Sequence, residues 1–142
     1  MQVSDLMATD VVTVDRDASL RAAVRELLEN EVGSVIIVDD KGNPIGIVTE
    51  SDALRAGYVT EKPFDEIAVI DLTHRPVITT KPSSTIRWVA KQMADNDVKK
   101  APVMDDLELV GIITLTDIVW HLSDIQAEAG ELAGSEEDWN LD

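Results

Sequence analysis

The chain contains no cysteine. Disulfides, thiolate metal sites and a cysteine nucleophile are thereby excluded. No apolar run approaches the length of a membrane-spanning helix. Residues Met1 to Asp10 lack the basic-then-apolar layout of a secretory signal, so a cytoplasmic location is expected. No phosphate-binding Walker loop and no Gly-x-Ser-x-Gly elbow occur, and His74 and His121 have no partner at ligand or triad spacing. The sequence therefore points away from a kinase, a hydrolase, a resident metal and enzymatic activity in general. Bases are scarce as well, 12 against 28 acids, for a net charge of −16. Such a chain repels nucleic acid and anionic membrane.

What is present is a protein of 142 residues with 44% hydrophobic content. That is enough for one core or two small fused halves. The acids are spread along the chain as well as gathered at its end. This favours a halophilic reading, since molar salt shortens the Debye length to about 3 Å and screens self-repulsion. The other reading is an acidic effector of a basic partner.

The chain says one thing twice. Gly46-Ile47-Val48-Thr49-Glu50-Ser51-Asp52 returns as Gly111-Ile112-Ile113-Thr114-Leu115-Thr116-Asp117. Upstream, Val3, Asp5, Leu6, Val11, Thr13, Arg21, Asn30 and Val32 return as Val69, Asp71, Leu72, Val77, Thr79, Arg87, Asn96 and Val98. The offset is 66 residues there (69 against 3) and 65 at the motif (111 against 46). One residue is lost in the turn, where length is cheap. Each copy reads β-α-β-β-α. Extended stretches are expected at 11–14 and 77–80. The helices that follow carry Leu20, Ala23, Val24, Leu27 and Leu28, or Ile86, Val89, Ala90 and Met93, the stripe of an amphipathic helix. Ser19 and Ser84 are the expected N-caps. Strands are expected at 35–38 and 45–48, then at 101–104 and 109–114. A second helix starts near Ser51 or Thr116, with Gly57 as its stop in copy one. Asp39-Asp40 and Asp105-Asp106 read as turn residues rather than metal ligands.

A strand running into a helix, with hydroxyls and a carboxylate at the junction, builds a small-molecule site, because helix N-termini carry unpaired N–H groups. The unit Asp-Val-Val-Thr-Val…Ser-Val-Ile-Ile-Val-Asp…Gly-Ile-Val-Thr-Glu-Ser-Asp-Ala-Leu resembles a CBS motif, named after cystathionine beta-synthase. The tandem resembles a CBS pair, or Bateman module, over roughly residues 3–125. The segment Val98-Lys99-Lys100-Ala101-Pro102-Val103 is similar to the basic stretch of nucleotide-binding members. The resemblance implies an α+β fold, two βαββα halves with pseudo-two-fold symmetry and sheets packed face to face. It implies motif one at 1–60, a linker at 61–68 and motif two at 69–126, while composition marks 127–142 as an acidic, disordered tail.

The resemblance also implies an adenosine nucleotide as ligand, AMP, ADP or ATP, with S-adenosylmethionine as a further candidate and no covalent cofactor. By resemblance, Asp117 and Asp52 bond ribose hydroxyls. Thr114, Thr116, Thr49, Ser51, Lys99 and Lys100 meet phosphate. Val77, Thr79, Ala101, Pro102, Val11, Thr13 and Val35 line the base. Each of these has a plainer reading: the aspartates and hydroxyls as helix caps, the lysines as a solvated pair. Lys99 and Lys100 stand where copy one has Gly33 and Ser34, and Arg75 and His74 add further charge to copy two. Copy one carries Glu50 where copy two has Leu115, so the sites should differ. Trp88 and Trp120 each follow an apolar-face residue by two positions, about 200° around a helix. They suggest a homodimer through these helices, or partial burial against a sibling helix. The expected function is a stand-alone regulatory module that binds nucleotide and signals occupancy to a separate target protein. The alternative is a constitutive oligomerisation module with vestigial ligand sites.

Overall fold

The computed structural model describes residues 1–73 and 77–133. Its elements, in chain order, are α1 (Val3–Leu6), β1 (Thr13–Asp15), α2 (Leu20–Glu29), β2 (Ser34–Val38), β3 (Pro44–Thr49), α3 (Glu50–Thr60), α4 (Ile86–Asn96), β4 (Lys100–Asp105), β5 (Glu108–Thr114), α5 (Leu115–Trp120) and α6 (Leu122–Ala133). Two 3-10 turns, Phe64–Glu66 and Val69–Leu72, join the halves.

In the first half, β1 runs parallel to β2, and β2 pairs antiparallel with β3. The hairpin is closed by Asp39, whose Oδ1 accepts from the Lys41 and Asn43 N–H groups at 2.9 Å. These bonds favour the ionised form and hold the Asp39 carboxyl below its usual pKa. The second half repeats the hairpin as β4 against β5. Its counterpart of β1 is reduced to one parallel bridge, Thr80 to Val103, so 77–80 is a contact and not a strand.

Helix α2 follows its stripe: Leu20, Ala23 and Leu27 are buried, and Ser19 accepts from Ala22 N–H at 3.2 Å. Helix α4 buries Ile86, Val89 and Met93, but its cap is Thr85 and not Ser84. Ser84 is engaged elsewhere, its carbonyl accepting from Val3 N–H at 2.9 Å. Helix α3 passes Gly57 and ends at Thr60, with Glu61 in the left-handed region as C-cap. Gly57 instead answers to packing, because a Cβ there would lie 2.8 Å from the Phe64 ring. Helix α6 continues to Ala133, through the start of the segment that composition marks as disordered. The rest of that segment, 134–142, lies outside the described residues, as do His74 and Arg75.

Two apolar cores result. One gathers Val14, Leu20, Leu27, Val35, Ile37, Val48 and Ala53, together with Ile67 and Val69. The other gathers Ile86, Val89, Met93, Ala101, Val103, Ile113 and Ile118, together with Val3 and Leu6. The lead-in segments are therefore exchanged. Residues before β1 serve the second core, and residues before copy two's extended segment serve the first. The hydrogen bonds obey the same symmetry. Leu20 N–H donates to Ile67 C=O at 2.8 Å, as Ile86 N–H does to Met1 C=O at 3.3 Å.

The strands also bury their second faces. Ile36 and Pro102 correspond in the repeat, point away from their own helices by strand alternation, and are fully buried. Sheet thus covers sheet, with helices outside. No helix among the described residues is long and apolar enough to cross a membrane.

Candidate functional site

The repeated motif falls at the β3–α3 and β5–α5 junctions. Antiparallel register sets Ser34 opposite Thr49 and Lys100 opposite Thr114. The first helical N–H of each junction then reaches back across the hairpin. Glu50 N–H donates to Gly33 C=O at 3.4 Å, and Leu115 N–H to Lys99 C=O at 2.8 Å. Each junction is thereby tied to the residue that precedes the partner strand.

Both junctions are closed by a capping box. Thr49 Oγ1 accepts from Asp52 N–H at 3.2 Å, and Asp52 Oδ2 accepts from Thr49 N–H at 2.9 Å. In copy two, Thr114 Oγ1 accepts from Asp117 N–H at 3.1 Å, and Asp117 Oδ2 accepts from Thr114 N–H at 3.0 Å. Reciprocal bonds of this kind satisfy two orphan donors and hold both side chains in fixed rotamers. The capping role of all four residues is thus a structural fact. It does not exhaust the aspartates, since a carboxylate offers about four acceptor positions. Asp52 and Asp117 stay half-buried, while Ser51 and Thr116 are exposed one residue before them.

Lys100 brings the two motifs together. It is half-buried at the start of β4. Burial pulls its ammonium below the usual lysine range, and Asp117, then Glu50 and Asp52, push the other way. One lysine of copy two therefore lies in the field of carboxylates from both copies. Lys99 beside it is exposed.

Of the residues expected against a base, Val35 and Ala101 belong to the apolar cores, and Pro102 is fully buried on the inner sheet face. Val11 and Val77 are half-buried, and Thr13 and Thr79 are exposed, so these four offer surface to a ligand. Both motif glycines have a role that the motif alone does not reveal. A Cβ on Gly46 would collide with Thr73, and one on Gly111 would stand 2.8 Å from Met7 Sδ and 2.9 Å from Ala8 O. Met7 and Thr73 are repeat counterparts, so each exchanged lead-in crosses directly over the other copy's motif glycine. A separate hollow of about 450 Å³ opens on α2, among Arg21, Arg25, Leu28 and Phe64. It contains no motif residue, and the motif chemistry lies elsewhere. No group of three metal-ligating side chains occurs among the described residues.

The CBS domain family matches the chain twice, over residues 3–58 and 69–124. An uncharacterised protein of Methanopyrus kandleri is 32% identical over 120 residues, covering 84% of this chain and 61% of that protein. A homoserine O-acetyltransferase of Methanobrevibacter ruminantium is 33% identical over 121 residues, 84% of this chain but only 24% of the enzyme. The chain thus spans less than two thirds of the length of either relative. Among solved structures, the CBS domain pair of protein MJ0100, in complex with 5′-methylthioadenosine and S-adenosyl-L-methionine, superposes with a TM-score of 0.73 at 26% identity. That match covers 87% of this chain and 97% of the other. With the motif matched in both copies and the repeated helix–hairpin–helix halves and sheet-against-sheet core in agreement, the chain belongs to the CBS-domain family and carries two of its motifs in tandem as a CBS pair.

Proposed function

We propose that this CBS pair is a regulatory module that binds an adenosine-type ligand, of the AMP, ADP or ATP class, at two related sites in the cleft between its two motifs. Occupancy is passed to a regulated target as a shift between conformations, which requires the ligand to bind one of them more tightly. The observation that carries the reading is the convergence of Asp52, Asp117 and Lys100, two carboxylates suited to ribose hydroxyls and a cation suited to phosphate. Support comes from the MJ0100 pair, which holds two adenosine derivatives on the same fold. The residues gathered here suit binding of a ligand, and the proposal is binding without turnover.

Titration calorimetry with adenosine, AMP, ADP, ATP and S-adenosylmethionine tests it. Asp117→Ala is expected to weaken nucleotide binding about ten- to a hundred-fold, the worth of hydrogen bonds to a charged acceptor. Unchanged affinity in that variant would remove the assignment of the ribose contact.

A second reading, oligomerisation through the helical face, has an observation of its own. Trp120 is 80% exposed and Trp88 is 45% exposed, on the neighbouring helices α5 and α4. Val119 and Leu122 are exposed beside Trp120. We propose that a homodimer covers this face, and sedimentation of Trp120→Ala against the unmodified chain tests that. The two readings are compatible unless every nucleotide fails to bind, in which case oligomerisation alone survives.

A further inference from the structure

The two motif junctions are built alike in backbone and carry different charges. At the position before the first strand of each hairpin, copy two has Lys99 and copy one has Gly33; at the next, copy two has Lys100 and copy one has Ser34. At the first residue of the motif helix, copy two has Leu115 and copy one has Glu50. The Glu50 side chain does not extend away from the hairpin. Its Oε1 lies 3.9 Å from where a Gly33 Cβ would stand. An anion therefore rests at the root of the side-chain position that, in the sibling half, belongs to Lys99.

We infer that Glu50 divides the clefts by ligand charge, so that the motif-two cleft takes adenosine 5′-phosphates while the motif-one cleft takes adenosine derivatives whose 5′ substituent is uncharged or cationic. This rests on the reading of both clefts as adenosine sites. The local sums support the division. Around motif two, Lys99 and Lys100 outweigh Asp117. At motif one, Glu50 and Asp52 are accompanied by Gly33 and Ser34 in place of the two lysines. The Glu50 carboxylate, turned toward Gly33, repels a 5′-phosphate brought to the first junction. Glu50 is exposed, so the repulsion between like charges a few ångströms apart is screened to about 1 kcal/mol, roughly a five- to ten-fold loss of affinity.

Calorimetry with three ligands that differ only at the 5′ position tests this: adenosine, AMP and 5′-amino-5′-deoxyadenosine, whose amine is cationic. Adenosine is expected to bind with two equivalents per chain and AMP with one. The amino derivative should fill the second equivalent after AMP has saturated the first. In Glu50→Gln, a second equivalent of AMP should appear, tightened roughly five- to ten-fold, and the amino derivative should weaken. In Lys99→Ala/Lys100→Ala, the AMP equivalent should weaken while the amino derivative still binds. Two equal AMP equivalents in the unmodified chain, or a Glu50→Gln variant with the same AMP stoichiometry and affinity, would overturn the inference and leave the adenosine reading standing. A single adenosine equivalent displaced by AMP would do the same. Binding of none of the three ligands would remove both readings together.

Discussion

Replacing Gly111 by alanine should cost stability at a place remote from any helix or core substitution. The added Cβ would stand 2.8 Å from Met7 Sδ and 2.9 Å from Ala8 O. The thioether can swing aside, but Ala8 O is backbone. It accepts from Ile112 N–H at 2.9 Å, and Ala8 N–H donates to Ile112 O at the same distance. Relieving the clash lifts the lead-in segment off β5 and strains or breaks both bonds. Each is worth about 0.5–1.5 kcal/mol, and overpacking of this kind costs about 1–3 kcal/mol as a whole. The reduced entropy of the unfolded chain returns about 0.5–1 kcal/mol. A net loss of about 2 kcal/mol is expected. Urea unfolding followed by circular dichroism measures it, and hydrogen exchange at the Ala8 amide reports the site. Gly33→Ala is the control: Gly33 has an ordinary φ and no neighbour nearer than Glu50 Oε1 at 3.9 Å, so its change should stay within about 0.5 kcal/mol. A Gly111→Ala protein as stable as the original, with Ala8 still protected, would refute the crossing argument.

Thr80→Val should stabilise the protein by about 1–2 kcal/mol, since the hydroxyl of Thr80, 3% exposed, has no hydrogen-bond partner among the described residues and the repeat counterpart is the core residue Val14; a destabilised variant in urea unfolding would show that the hydroxyl is satisfied after all. Melting temperature should rise from low salt to molar KCl, because a net charge of −16 is screened; a flat profile would favour the acidic-effector reading. Lys100 should titrate below the ordinary lysine value of 10.5 in carbon NMR of the dimethylated protein, and lower still in Glu50→Gln, which removes one of the carboxylates that raise it. Because the native state then releases this proton before the unfolded state does, the Lys100 contribution to stability rises with pH through the window that ends near 10.5. Titration of Lys100 together with the exposed lysines would contradict its burial.

Local pattern alone determined the repeat, its β-α-β-β-α order and the junction motif. The helical stripes are set by i, i+3, i+4 spacing, and the capping boxes close over four consecutive residues, Thr49 to Asp52 and Thr114 to Asp117. Such signals need no distant partner. Local pattern also misled in places. Gly57 has the composition of a helix stop, but the Phe64 ring across the turn explains its small size, and α3 runs on. Ser84 has the chemistry of a cap, but its carbonyl is claimed by Val3 and the cap passes to Thr85. Tertiary structure alone decided the exchange of lead-in segments, because residues 1–8 and 67–73 read alike and nothing in either names the core it serves. It alone explains the glycine of the motif, which gives room for the exchanged chain rather than for a turn. It also decided which charges share a site: Lys100 lies 48 or more residues from Glu50 and Asp52 in sequence, and only the packing of one half on the other brings an ammonium of copy two into the field of copy one's carboxylates.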